Sequence, residues 1–138
     1  MSNVRQLREK TPDSEKITIN LGYVDLGRID LLVQEGFYSN RSDLIRTAIR
    51  NQLESHVEVV SKSLERHTME LGLRDYTVAD LEALKAAGEV LHVKVVGLAR
   101  IASDVTPQLA LDTIGSITVL GALQASAEVK KALADRIK

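Results

Sequence analysis

"EKITINLGYVDLGRIDLLVQEGFYSNRSDLIRTAIRNQL", Glu15 to Leu53, changes its hydrophobic period partway along. Lys16-Ile17-Thr18-Ile19-Asn20-Leu21 alternates polar and apolar, which is the period of a half-buried strand. From Val24 the apolar positions Val24, Ile29, Leu32 and Val33 follow helical spacing instead. Gly36 then offers the left-handed residue that commonly ends a helix. "SNRSD" reads as a new start: Asn40 with Asp43, or Ser39 one position earlier, can accept free N–H groups of a second helix. Leu44, Ile45, Ala48, Ile49 and Leu53 form its apolar stripe.

A strand followed only by helices has no partner for its backbone N–H and C=O groups. The economical partner is the same strand of a second copy, paired antiparallel about a two-fold axis. Ile17, Ile19 and Leu21 then face the helices of both copies and join Leu44, Ile45, Ala48 and Ile49 in a shared core. Lys16, Thr18 and Asn20 line the other face. A two-stranded ribbon fits the major groove of B-DNA, where Lys can donate to guanine, Asn can make a two-point contact with adenine, and Thr can meet thymine's methyl group.

On "KITINL", "GFYSNRSDLIRTAIRNQL" and the helical residues between them, the chain resembles the ribbon-helix-helix family of bacterial DNA-binding proteins. "NRSDLIRTAIR" is the most specific piece, since the family typically has Arg-Ser, an acidic residue, two apolar residues and an Arg. The resemblance implies base reading by Lys16, Thr18 and Asn20. It also implies a DNA phosphate held at the start of the second helix by Ser39, Asn40, Arg41 and Ser42. A helix N-terminus suits that task because its free N–H groups and partial positive charge attract anions. "GYVD", Gly22 to Asp25, departs from the polar or acidic run that often follows the ribbon in the family.

Beyond Leu53 the stripe continues through Val57, Val60, Leu64, His67 and Leu71 in steps of four and three, with no Gly or Pro between Gly36 and Gly72. The expectation is one long helix lying on a partner. "YTVADLEALKAAG" is a further helix, with Thr77 and Asp80 at its start and Gly88 at its end. After it the composition turns β-like and repeats itself. Aligning residues 92–110 on 116–134 places Val95 on Val119, Gly97 on Gly121, Val105 on Val129, Leu109 on Leu133 and Ala110 on Ala134. Two such layers are fewer than a stable stack needs, so the missing layers are expected from another subunit.

The expected architecture is mainly α with β. Residues 1–14 form a flexible arm carrying Arg5, Arg8 and Lys10. Residues 15–55 form the ribbon-helix-helix unit, 56–88 a helical linker and dimerisation region, and 89–138 a β-repeat oligomerisation module. With 138 residues, 44% hydrophobic and 27% charged, the chain has the balance of an ordinary globular protein. Aromatics are only 3%, so the core must be aliphatic. With no Cys there are no disulfides or thiolate metal sites. No apolar run approaches the ~20 residues that span a bilayer, and "MSNVRQLREK" lacks a signal-peptide core. A cytoplasmic location is expected.

The net charge of −1 leaves no global basic footprint, so DNA contact must come from local placement of donors. His56 and His67 are eleven apart, too far along one helix to share a metal, and no phosphate loop or nucleophile motif occurs. No enzyme activity, metal or cofactor is expected. The expected function is a sequence-specific DNA-binding regulator, most simply a repressor, acting on double-stranded DNA as a homodimer. Residues 56–138 would join dimers into a tetramer or higher assembly. Two alternatives remain: an antitoxin that represses its own operon, and a structural self-assembling protein in which the N-terminal part only dimerises.

Overall fold

The structure is a computed structural model that describes residues 14–138; the arm expected at residues 1–14 lies outside them but for Ser14. The chain divides into two compact units, one through Val59 and one from Val60 to Lys138.

In the first unit, residues 14–22 have no regular secondary structure, the strand expected at Lys16–Leu21 included, and α1 spans Tyr23–Gln34. Gly36 follows at φ 87, and the N–H of Phe37 reaches back to the carbonyl of Leu32 at 3.0 Å. This closes the helix end with a left-handed residue, as the sequence implied. Helix α2 spans Arg41–Glu54. No described residue of this unit is buried.

The expected long second helix is not continuous. It stops at Glu54, and a separate helix α3 runs Val57–His67, with the division between units falling inside it after Val59. The break has a local cause. The Ser55 hydroxyl donates to the carbonyl of Gln52 at 2.6 Å, and the N–H of His56 bonds Leu53 rather than Gln52. A side chain that competes for carbonyls in this way loosens the helical ladder. Helix α3 itself ends on Thr68 at φ 53, with the N–H of Met69 donating to the carbonyl of Leu64 at 2.9 Å. Leu71, expected at the end of the helical stripe, lies in a strand.

That strand, β1 (Glu70–Tyr76), is the first of the second unit. It is followed by α4 (Val78–Ala87), β2 (Leu91–Ile101), α5 (Pro107–Thr113), β3 (Ile114–Gln124) and α6 (Ala127–Ala132). The three strands form a parallel sheet in the order β1-β2-β3. Part of the segment expected as a helical linker therefore belongs to the same sheet as residues 89–138. The third layer, expected from another subunit, is the chain's own β1.

Each connection is capped as its sequence dictates. Thr77 accepts from the N–H of Asp80 at 3.1 Å while Asp80 accepts from the N–H of Thr77 at 3.0 Å, and Gly88 ends α4 at φ 68. Thr106 and Ser126 accept from Leu109 and Val129 in the same manner. The helices bury one face of the sheet. Leu81 of α4, Val93, Val95, Ala99 and Ile101 of β2, Leu109 and Ala110 of α5, Ile117 of β3, and Val129 and Leu133 around α6 form an aliphatic core. Buried and exposed positions alternate along β2 on both sides of Gly97.

Val95 pairs with Val119 and Gly97 with Gly121, the same offset that aligns the two repeats in sequence; Gly72 pairs with Gly97 on the other side. Gly97 and Gly121 have φ of 139 and 117. A Cβ on either would fall onto the carbonyl oxygen of the glycine in the preceding strand. Only glycine fits this line, which is why it recurs at each rung. The chain's end closes against β3, where the N–H of Lys138 donates to the carbonyl of Ile117 at 2.8 Å.

Candidate nucleic-acid interface

Lys16, Thr18 and Asn20 lie in the irregular segment before α1, and all three are exposed. The apolar residues between them are exposed as well: Ile17 at 74% and Ile19 at 63%. Among the described residues nothing pairs with the backbone of residues 14–21. Two β-branched residues left open on alternate positions carry a large apolar penalty unless something covers them. Across the unit, Leu44 and Ile45 are half-buried, whereas Ala48 is exposed and Ile49 is 48% exposed. With Leu21, which is 38% exposed, these positions form an apolar surface rather than an interior within a single chain.

The start of α2 is more sharply defined. Of the two caps the sequence allows, the structure uses Asn40: its Oδ1 accepts from the N–H of Asp43 at 2.8 Å. Ser39 instead donates its own N–H to Asp43 Oδ2 at 2.9 Å. The N–H of Leu44 takes the carbonyl of Asn40 at 3.3 Å. Two donors of the first turn, the backbone N–H groups of Arg41 and Ser42, have no partner among the described residues, and neither does the Ser42 hydroxyl. Free N–H groups at the positive end of a helix are what an anion needs.

Arg41 is placed differently from Ser42. Its guanidinium forms a two-point ion pair with Asp30 of α1, Nε to Oδ1 at 2.8 Å and Nη2 to Oδ2 at 2.9 Å. This hydrogen bonding, with the charge attraction, raises the Arg41 pKa and holds the Asp30 carboxyl below the usual carboxylate value. Asp30 had no marker in the sequence. It lies eleven residues from Arg41 across a helix-turn-helix, a distance no periodic rule connects.

The histidines are dispersed. His56 Nε2 is 3.3 Å from Gln52 Nε2, His67 ends α3, and His92 Nδ1 is 2.8 Å from the Ser116 hydroxyl in the sheet. Among the described residues no helix is long and apolar enough to cross a membrane.

Searches of curated proteins and of solved structures found no match. The family comparison did: residues 12–130 match the Ribbon-Helix-Helix transcriptional regulator family. The match takes in the segment before α1, helices α1 and α2, and all three strands of the sheet. The chain thus belongs to the Ribbon-Helix-Helix transcriptional regulator family.

Proposed function

We propose that this regulator is a sequence-specific repressor that binds operator DNA as a dimer. The observation that carries the reading is segment 14–21, whose polar and apolar residues are all exposed and whose backbone has no partner among the described residues. A second copy of the segment, antiparallel to the first, completes a ribbon. It covers Ile17, Ile19 and Leu21 against Leu44, Ile45, Ala48 and Ile49 of both chains. Lys16, Thr18 and Asn20 then read base edges in the major groove. Ser39, Asn40, Arg41 and Ser42 hold a phosphate, with the N–H groups of Arg41 and Ser42 as its nearest donors. This contact sets the register of the ribbon without reading sequence.

The test is competition gel-shift with a selected duplex. Lys16→Ala or Asn20→Ala should each lose about 1–3 kcal/mol of discrimination between the selected duplex and random DNA, while affinity for random DNA changes less. Unchanged discrimination in both variants would refute base reading by the ribbon.

The second unit supports further assembly. Its open sheet face carries Leu71 at 62% and Leu120 at 61% exposed, with Leu73 also exposed. A parallel sheet is normally covered on both faces, and joining dimers there would raise affinity for adjacent half-sites through effective concentration. The same exposed face favours the reading of a self-assembling structural protein. Sedimentation separates the two. A discrete tetramer that shifts DNA supports the regulator, and open-ended polymers indifferent to DNA support the structural protein. The antitoxin reading loses ground because residues 60–138 fold as a unit of their own, not as a tail awaiting a toxin.

A further inference from the structure

We propose that Asp30 is a positioning residue for DNA phosphate: by gripping one edge of the Arg41 guanidinium it presents that side chain's remaining donors beside the free N–H groups at the start of α2. This rests on the DNA-binding reading above and deepens it.

Arginine has five N–H donors in a rigid fork. Asp30 occupies Nε and one hydrogen of Nη2. The edge formed by Nη1 and the outer hydrogen of Nη2 has no partner among the described residues. A phosphate can take that edge in a two-point contact while Asp30 keeps the other.

Arg41 is the first residue of α2. A cation there faces the positive end of the helix dipole, an unfavourable place unless an anion compensates. Asp30 compensates in the free protein, and a phosphate bound to the same helix end would add to it. As a purely structural pair the contact accomplishes little. Both side chains are about half exposed, and ion pairs of that kind contribute scarcely to stability. What a two-point geometry does supply is orientation. It removes rotamer freedom that Arg41 would otherwise lose on binding DNA.

The carboxylate also repels phosphate. At an exposed site in physiological salt that repulsion is screened and weak, so orientation prevails. The two effects predict opposite signs, which makes the proposal testable. Charge alone says that neutralising Asp30 tightens DNA binding. Positioning says that it weakens it.

The experiment uses the full chain and fluorescence anisotropy with a labelled duplex over a range of salt concentrations. Asp30→Asn should weaken binding by about tenfold and flatten the salt dependence by about one counterion per chain. Arg41→Lys, which keeps the charge but lacks the fork, should weaken binding in the same direction. In an Arg41→Ala background, Asp30→Asn should no longer weaken binding. Circular dichroism and sedimentation verify that the variants fold and associate as wild type does; should Asp30→Asn misfold, Arg41→Lys carries the test alone. Binding by Asp30→Asn as tight as wild type or tighter, with an equal or steeper salt slope, overturns the proposal. So does wild-type affinity in Arg41→Lys. A wild-type chain that binds no duplex under any salt removes the DNA-binding reading itself, and the positioning role with it.

Discussion

The two units of this chain solve the burial problem in opposite ways. The second unit, from Val60, places twelve hydrophobic residues in a core between three helices and one face of a parallel sheet. The first, through Val59, has two helices and an irregular segment before them, and buries none of its described residues. One unit is complete as a single chain. The other has the parts of an interior and no interior. On the proposed function the difference separates two tasks: the self-sufficient unit would serve as a base for assembly, while the incomplete one would acquire a partner before it presents a ribbon.

The strongest blow to this contrast should come from Gly97→Ala. The substitution forces a side chain into a left-handed backbone and onto the carbonyl of Gly72. Strain and overpacking together should cost about 4 kcal/mol, a large part of the stability of a unit this small. Urea unfolding followed by amide exchange should show β1, β2 and β3 losing protection while α1 and α2 keep theirs. Equal loss in both units would mean that they fold as one.

Ile19→Ala acts on the other side of the comparison. If a second copy covers Ile19, the substitution should cost about 2 kcal/mol per chain in the first unit and leave the second unchanged. Dilution alone should reproduce the pattern. The melting of α1 and α2 should depend on protein concentration. A first unit whose melting ignores concentration would show that its apolar surface is not an interface.

Acid should have the smallest effect and act on both units alike. Asp30 in the first unit is held below its ordinary pKa of 3.8 by Arg41. Asp80 is lowered by its bonds to Thr77, and Asp112 by its bonds to Gln108 and Lys85. A carboxylate with a lowered folded-state pKa contributes stability above its unfolded value and loses it as pH falls through the folded value. Both units should therefore be unaffected down to about pH 4 and weaken slightly below it, as thermal melts across that range would show. A loss beginning near neutrality would point to histidine instead.

Much of this arrangement was legible because it rests on local chemistry. Gly36, Asn40 with Asp43, Thr77 with Asp80, and Gly88 mark helix ends through bonds made within a few residues. The pairing of β2 with β3 was legible for another reason: glycine recurs where no other residue fits, so aligning Gly97 with Gly121 gave the register directly.

What was not legible depended on competition or distance. The stripe from Leu53 to Leu71 keeps helical spacing across a break made by one hydroxyl, that of Ser55. The end of α3 is formed by Thr68, a β-branched residue that propensity does not nominate for a left-handed position. With both stops invisible, the helical stripe runs on into Leu71 at the start of β1, and the sequence repeat shows two layers of the sheet and not the third. Asp30 escaped for the opposite reason. Nothing is unusual about an acid on a helix surface until the turn brings Arg41 to it.

The empty interior of the first unit also bears on dose. Where two copies must meet before either can hold a ribbon, the number of binding-competent molecules falls faster than the number of chains as the protein is diluted. On the proposed function, halving its supply would then more than halve the occupied sites, and a regulated gene would respond to a threshold of the protein rather than in proportion to it.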